Sequence, residues 1–155
     1  MSDIAPVAIR RMAPSELAET VDVLYRSLLG SLAKMRPEQL RSEADYRGFF
    51  RDVVVVTRDI CVAESEGRIA GVLALDGNEV DRLYVAPEVQ GRLIGTALLT
   101  HAKSLHPSGL TLVTNQSNTG ACRFYERHGF SARKFGISPP PESEPDVVYV
   151  WDGVG

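Results

Sequence analysis

The segment from residue 79 to residue 105 changes its apolar period at a glycine-containing corner, and this change constrains the fold more than any other feature. Residues 80–85 are rich in strand-favouring side chains and lie between the turn signals Gly77 and Pro87. From residue 94 onward the apolar positions recur at helical spacing. The sequence therefore predicts a strand, a tight corner and an amphipathic helix within a mixed α/β fold.

The start of the predicted helix has no obvious side-chain cap. Neither Gln90 nor Gly91 belongs to the Ser, Thr, Asp and Asn group that caps helices, so several of the first four N–H groups have no evident partner. The helix dipole and these amides favour an anion, and glycine removes the Cβ that would hold a phosphate away. The corner is therefore a predicted phosphate-binding site.

A second patterned helix begins after Ser117. Asn118, Cys122 and Tyr125 stand at i, i+4 and i+7, which predicts that they share one face while Ala121 and Phe124 point elsewhere. At 1.5 Å per residue, the first and last of the three are about 10 Å apart along the axis. A long, thin ligand fits along such a face. The alternative interpretation is an N-cap at Asn118 and a Tyr125 ring packed on the sheet.

Together the two segments resemble the GNAT superfamily of N-acetyltransferases. Residues 90–97, QGRLIGTA, are similar to the family's pyrophosphate-binding motif, in which Gln or Arg is followed by two residues, Gly, one residue, and Gly or Ala. Gln90 and Gly95 match this pattern, whereas Leu93 stands where the family usually has its first glycine. Residues 118–130, NTGACRFYERHGF, are similar to the family's Asn, Ala, Phe-Tyr, Gly-Phe helix.

The resemblance implies the fold of the chain. We expect one domain over residues 1–155, with a central, mostly antiparallel, twisted sheet of about seven strands, about four helices, and strands that splay at the acetyl-CoA site. The residue pattern predicts strands near 7–12, 60–64, 69–75, 80–85, 110–113, 132–135 and 147–151. Residues 53–56 fit either a buried strand or the end of a helix, because short apolar runs do not reveal their period.

The resemblance also implies acetyl-CoA as a cosubstrate, without a metal. The family's contacts come from the strand before the corner, from the corner itself and from the second helix. Carried onto this sequence, the cofactor-binding residues are Leu83, Tyr84, Val85, Gln90, Gly91, Arg92, Leu93, Ile94, Gly95, Thr96, Asn118, Cys122 and Tyr125. In the family, the helix Asn contacts pantetheine and a strand amide, here that of Val85, polarises the thioester carbonyl.

Leu93 is the departure that matters for this site. If its φ is already helical, the residue needs no left-handed conformation and its side chain can point away from the ligand. Cofactor binding is then retained or weakened. The contrasting interpretation is a degenerate loop, which would make the chain a non-catalytic acyl-CoA-binding or regulatory module rather than an enzyme.

Three residues are the catalytic candidates. In the family the Tyr at the place of Tyr125 protonates the departing thiolate. An amine must also lose a proton before it attacks, and Glu79 or Asp81 is the predicted base, with Glu79 preferred by its place in the family pattern. Strict strand alternation would mix these acids with core residues, so we predict a β-bulge between Asp81 and Leu83.

Composition and charge limit the partners. With 155 residues, 44% hydrophobic and 24% charged, the chain has the composition of a soluble domain, and a net charge of −3 argues against a broad nucleic-acid surface. Cys61 and Cys122 lack metal-ligand spacing, and we expect reduced thiols. No signal sequence or membrane-spanning run is recognisable, which predicts a cytoplasmic protein.

The predicted activity is direct transfer of an acetyl group to a primary amine, carried by a small molecule or a peptide. Residues 25–50 and the loop at 139–146 are expected to shape the acceptor site. The acids Glu142, Glu144 and Asp146 in that loop either attract a cationic amine or are simply solvated. A homodimer is possible, since relatives often dimerise, and neither a nucleic-acid nor a membrane partner is expected.

Overall fold

Seven strands form one sheet in the computed structural model, which describes residues 6–90 and 93–154. The strands are β1 (Ala8–Arg11), β2 (Asp59–Ser65), β3 (Arg68–Asp76), β4 (Glu79–Val85), β5 (Leu110–Asn115), β6 (Ser131–Ile137) and β7 (Pro145–Trp151). Their spatial order is β1-β2-β3-β4-β5-β7-β6. All neighbours pair antiparallel except β4 and β5, which are parallel. The predicted mixed, mostly antiparallel fold is confirmed.

Four helical segments cover the sheet. Helix α1 is Leu17–Leu32, α2 is Glu43–Phe49 with a π-helical extension at Phe50–Val54 and a last turn at Val55–Thr57, α3 is Ile94–Leu105, and α4 is Thr119–Arg127. The run at residues 53–56 is thus helical, because Val54 is fully buried in the core beneath α1. Within the described residues, none of the helices has the length and apolar character that a membrane span requires.

The sheet separates two hydrophobic cores. Helices α1 and α2 bury Leu24 and Phe50 against Val72 on one face. On the other face, Leu98 of α3 packs against Leu112 of β5. Each of these side chains is at most 1% exposed, and full burial of one such residue contributes about 1.5–3 kcal/mol. The two cores hold the sheet and both helix layers in one arrangement.

Gly71 of β3 lets helix α3 sit directly on the sheet. A Cβ atom at this position would lie 2.9 Å from Leu98 Cδ1 and 3.1 Å from Ile94 Cγ2. Both side chains are buried, so they have little room to move away from an added methyl group. Glycine in β3 therefore fixes how close the first turn of α3, and with it the corner, comes to the sheet.

Strands β4 and β5 separate soon after they meet. Their parallel pairing consists of Glu79 with Thr111 and Val80 with Leu112, although β4 continues to Val85 and β5 continues to Asn115. The later residues of the two strands consequently have no ladder between them. This V-shaped gap confirms the predicted splay.

A β-bulge lies in β4 at the start of the gap. Leu75 of β3 pairs with Val80 and Ala74 pairs with Arg82, so Asp81 is the extra residue on β4. This confirms the predicted irregularity. The bulge changes which face each side chain occupies. Val80, Leu83 and Val85 join the core under α3, whereas Tyr84 packs against the core of α1 and α2.

Candidate active site

A cavity of about 920 Å³ occupies the gap between β4 and β5. Its walls are the end of β4, the corner, the first turn of α3, the end of β5 and helix α4. Helices α1 and α2 and the loop between β6 and β7 enclose the opposite end. A volume of this size suits one extended ligand together with part of a second.

Leu93 adopts a left-handed backbone at the corner, with φ of 62° and ψ of 15°. The condition of a helical φ is therefore not met. The chain reverses into α3 at this residue, and that turn needs the conformation which glycine adopts without cost. For a residue with a Cβ it costs roughly 1–2 kcal/mol. The leucine side chain is 65% exposed, so it gains little from burial in return.

The first turn of α3 presents backbone amides to the cavity. The first intrahelical hydrogen bond runs from Ala97 N to Leu93 O, at 3.0 Å, so the amides of Ile94, Gly95 and Thr96 precede it. Among the residues that the structure describes, these three amides have no recorded acceptor. The amides and the helix dipole make this terminus suitable for an anionic group.

Gly95 lies in this first turn, next to α4 and the end of β4. A Cβ at Gly95 would lie 3.4 Å from Phe124 Cζ and 3.7 Å from Val85 Cγ2, which are ordinary contact distances. A methyl group would therefore fit at this position. Thr96 also lines the cavity, and its Oγ1 lies 3.3 Å from His128 Nε2.

The carbonyl at the end of β4 is held from two sides. Gln90 Nε2 donates to Val85 O at 3.2 Å, and Ser27 Oγ donates to the same oxygen at 3.0 Å. Gln90 thus connects the corner to the end of β4 by a hydrogen bond. The family motif alone had suggested only that Gln90 contacts the ligand. Ser27 connects helix α1 to the same point.

The alternation of β4 directs the Val85 N–H into the gap. The N–H of Ala86, just after β4, donates a hydrogen bond to Ala70 O in the neighbouring strand β3, at 2.8 Å. Successive peptide groups of a strand point to opposite edges, so the main-chain groups of Val85 and Leu83 point to the edge that faces β5. Because β5 has already diverged there, this edge of β4 borders the cavity.

Tyr125 of α4 faces the cavity and is 8% exposed. Burial raises the pKa of its phenol well above the ordinary value, and the nearby Tyr84 phenol adds to the effect. The hydroxyl is consequently protonated at neutral pH. Within the part of the chain that the structure describes, no hydrogen bond from this hydroxyl is found, so it is available to a ligand.

Asn118 is both a helix cap and a cavity residue. Its Oδ1 accepts a hydrogen bond from Ala121 N at 3.1 Å, at the N-terminus of α4. It also lines the cavity. The two interpretations of this residue are therefore compatible, since the cap uses the oxygen and leaves the amide NH₂ for other contacts.

Cys122 is the exception among the predicted contacts. Every other predicted contact that the structure describes lines the cavity, but Cys122 does not. Its Sγ instead contacts Asn115 O at 3.8 Å. Helix α4 turns Ala121 and Phe124 towards the gap, so the prediction that they point away was also wrong. Gly91 and Arg92 lie outside the described residues.

The two predicted bases occupy different environments. Glu79 does not line the cavity, and it pairs with Thr111 at the closed end of the gap. Burial raises the pKa of its carboxyl, with smaller effects from Asp81 and Asp76. Asp81 does line the cavity. Of the two predicted bases, the structure therefore brings Asp81 to the cavity and leaves Glu79 outside its lining, while the role of either as the base stays a prediction.

Asp81 is enclosed by two guanidinium groups. Its Oδ2 lies 3.4 Å from Arg58 Nε and 3.6 Å from Arg82 Nε. All three atoms are buried, and within the described residues none has a partner with hydrogen-bond geometry. The carboxylate is thus neutralised by neighbouring cations, and its buried oxygen is poorly placed to meet an incoming amine.

Glu142, in the loop between β6 and β7, is a cavity carboxylate that the sequence did not single out as catalytic. Its carboxylate accepts a hydrogen bond from the Tyr46 hydroxyl at 3.2 Å and lies 3.4 Å from Arg41 Nε. Gln39, which is 5% exposed, donates from Nε2 to Glu142 O and, at 3.0 Å, to Glu144 Oε1. These contacts hold the acidic loop over the cavity, so it is not simply solvated.

The comparisons with known proteins agree with this geometry. A family model described as an acetyltransferase (GNAT) domain matches residues 57–132. The peptidyl-lysine N-acetyltransferase YjaB of Salmonella typhimurium is 43% identical over 60 residues, which cover 39% of this chain and 41% of that protein. The YjaB protein of Escherichia coli, named in the same way, is 30% identical over 128 residues, or 80% of this chain and 82% of that protein.

Solved structures agree on the fold. The solution structure of apo-form YjaB from Escherichia coli matches with a TM-score of 0.75 at 27% identity, and covers 96% of this chain and 99% of that one. The PaiA N-acetyltransferase from Thermoplasma acidophilum, in complex with coenzyme A, matches with a TM-score of 0.70 at 20% identity. That match covers 95% of this chain and 99% of the other, and at its low identity it supports the fold alone.

Replacing Leu93 by glycine removes the Cβ that strains the left-handed corner. We expect the free energy of unfolding to rise by roughly 0.5–1 kcal/mol, because the relief of strain exceeds the extra chain entropy of glycine. Urea unfolding followed by the fluorescence of the single tryptophan measures this change. Leu93→Ala is the matched control, since it shortens the side chain but keeps the Cβ. An equal gain from alanine, or a loss from glycine, contradicts the account.

Proposed function

The chain belongs to the GNAT family of N-acetyltransferases, and from this premise we propose that it transfers the acetyl group of acetyl-CoA directly to a primary amine. The observation that carries the proposal is the gap between β4 and β5, where a free strand edge, the amides of α3 and Tyr125 border one cavity. Because the relatives at 43% and 30% identity are named peptidyl-lysine acetyltransferases, we propose a lysine side chain as the acceptor.

The shape of the cavity supports acetyl-CoA as the donor. The diphosphate would meet the amides of Ile94, Gly95 and Thr96, where the helix dipole favours negative charge. The pantetheine arm would lie along the open edge of β4 and contact Asn118. The thioester carbonyl would then accept a hydrogen bond from Val85 N–H, which stabilises the oxyanion that forms during attack. The structural neighbour PaiA was solved with coenzyme A, in agreement with this assignment.

Leu93 does not argue for a disabled loop. Its backbone already has the left-handed angles that a glycine would supply at this corner. The path of the chain into α3 is therefore the one that exposes the amide row, and the leucine adds strain without redirecting that path. This supports an enzyme over a non-catalytic acyl-CoA-binding module.

The proposed reaction needs one base and one acid. The neutral amine attacks the thioester carbonyl carbon, the C–S bond breaks, and the thiolate of CoA takes the phenol proton of Tyr125. The phenol carries its proton at neutral pH, because burial raises its pKa. The raised pKa also makes it a weaker acid towards a thiolate, so we place the proton transfer in the same step as C–S cleavage, when negative charge develops on the sulfur beside it. The proton on the attacking nitrogen passes to a carboxylate, directly or through water.

We assign the base to Glu142 rather than to Glu79 or Asp81. Glu142 lines the cavity, and its side chain is 22% exposed, so an amine or a bridging water can reach it. The Asp81 side chain is similarly exposed, at 20%, but its Oδ2 is buried between the guanidinium groups of Arg58 and Arg82. Glu79 lies outside the cavity wall.

Tyr125→Phe tests the proton donor. The substitution keeps the buried ring and removes only the hydroxyl, so we expect kcat to fall roughly 100-fold or more, as for loss of a general acid. Calorimetric affinity for acetyl-CoA should change little. Tyr149→Phe is the control, because Tyr149 is buried and its hydroxyl donates to Glu126 outside the cavity. Equal activity of Tyr125→Phe and the natural protein would rule out this role.

Glu142→Gln tests the base. At pH 7 we expect kcat/KM for a lysine acceptor to fall about 100-fold, because the ammonium then loses its proton only to water. The difference in kcat/KM between the variant and the natural protein should shrink as the pH approaches about 10, where the amine loses its proton in solution without a base. Glu144→Gln is the matched control in the same loop, and Glu79→Gln and Asp81→Asn test the other acids. A pH-independent deficit, or a larger loss in Glu79→Gln, would exclude Glu142.

A further inference from the structure

We propose that the acetyl acceptor carries a carboxylate close to its amine, and that Arg82 binds this carboxylate. The inference rests on the proposed function, because it assigns a second contact to the acceptor end of the same cavity. Three observations support it. The β4 bulge places Arg82 on the side of the sheet that faces α1 and α2, its guanidinium has few hydrogen-bond partners, and the nearby acids also interact with other arginines.

The β-bulge directs Arg82 to the acceptor end. Asp81 is the extra residue, so Arg82 occupies the face of β4 that looks towards α1 and α2. Its guanidinium carbon lies 5.7 Å from the ring centroid of Phe50 and 5.9 Å from that of Phe49. Val85, at the thioester end, is three residues or about 10 Å further along the strand. Arg82 is therefore remote from the amides assigned to the diphosphate.

The guanidinium of Arg82 has few partners for its five N–H donors. Its Nη1 lies 3.4 Å from the Tyr84 hydroxyl, and its Nε lies 3.6 Å from Asp81 Oδ2. The Nε atom is buried and, among the residues that the structure describes, has no hydrogen-bond partner. The side chain is 29% exposed and lines the cavity, so part of the guanidinium beyond the buried Nε is open to a ligand.

The acids near Arg82 are already engaged by other cations. Asp81 Oδ2 is closer to Arg58 than to Arg82, at 3.4 Å against 3.6 Å. Glu142 lies 3.4 Å from Arg41 Nε. Arg58 also lies 3.9 Å from Asp76 Oδ2, so it interacts with two acids. Among the acids that the structure describes, Arg82 contacts only Asp81, at 3.6 Å and without hydrogen-bond geometry, and a half-buried guanidinium without a hydrogen-bonded acid is costly.

A carboxylate on the acceptor would give the Arg82 guanidinium the hydrogen-bonded acid that it lacks. The planar guanidinium, supported by two aromatic rings, matches the two oxygens of a carboxylate in a bidentate pair. A phosphate dianion fits less well, because Asp81 and Glu142 would repel its second charge. The carboxylate can belong to a free amino acid or to an acidic residue beside the target lysine in a peptide, since both offer the same group.

The test uses pairs of acceptors that differ by one charge. Nα-acetyl-lysine is compared with its amide, and acetyl-glutamyl-lysine amide with acetyl-glutaminyl-lysine amide, so that the pairs distinguish a free carboxylate from an acidic neighbour. We expect the natural protein to favour the charged member of at least one pair by tenfold to a hundredfold in kcat/KM, mainly through KM. Arg82→Met should abolish the preference, and Arg82→Lys should retain part of it.

The variants separate recognition from folding. Arg133→Met is the control, because Arg133 pairs with Asp152 on the surface and its loss should leave the preference unchanged. If Arg82 is only structural, Arg82→Met slows both members of a pair equally and the ratio persists, which overturns the proposal. Equal rates for both members of both pairs in the natural protein overturn it as well.

A binding measurement distinguishes failure of the proposed acetyltransferase activity from failure of the proposed carboxylate site. If the natural protein acetylates none of these amines, the question moves to binding, and Nα-acetyl-lysine is titrated calorimetrically into the CoA-saturated natural protein and into CoA-saturated Arg82→Met. Binding that the substitution removes supports the carboxylate site while the acetyltransfer assignment falls. No binding to the natural protein, or equal binding to both, rejects the carboxylate site.

Discussion

The loss of pairing between β4 and β5 after Val80 is the constraint on which the site depends. Two parallel strands that stayed paired would satisfy each other's main-chain groups and leave no space between them. Their divergence leaves the edge of β4 open at Leu83 and Val85, and it separates the two helices that follow the strands. The cavity, the free amides and the position of Tyr125 all follow from this single break in the sheet.

Several local features maintain the break and fix its geometry. Gly71 allows α3 to sit close to β3, and the left-handed Leu93 turns the chain into that helix. The bulge at Asp81 then gives the two ends of the cavity different chemistry. Apolar Leu83 and Val85 face α3, whereas Arg82 and Tyr84 occupy the α1 and α2 side. Strain and irregularity thus concentrate where the ligands would bind, as is common at functional sites.

Much of this could be predicted from the sequence, because the informative signals were local. The change of period at the corner and the spacing of Asn118 and Tyr125 depend on nearby residues alone, and the bulge followed from a conflict within one strand. The errors came from information that the local sequence lacks. The left-handed φ of Leu93 lies at the start of a helix that packs on β3, and Cys122 packs against the core under α3 rather than lining the cavity.

The acceptor end was the least predictable part for the same reason. Glu142 enters the cavity because Gln39 and Tyr46, from a distant part of the chain, hold its loop in place. The sequence favoured Glu79 as the base because of its position in the family motif. The strand register, however, shows that β4 and β5 are still paired at Glu79 and that the gap between them opens further along β4. Contacts between residues remote in sequence therefore decide which of several acids lines the cavity.

The most direct test of the account is amide hydrogen exchange, measured by NMR with and without acetyl-CoA. If the donor lies in the gap, exchange of the Val85 amide and of the amides of Ile94, Gly95 and Thr96 should slow at least tenfold on binding, because each gains an acceptor. The buried amide of Val72 in β3 serves as the reference. Binding of acetyl-CoA that leaves all four amides unchanged, or no binding at all, would contradict the account.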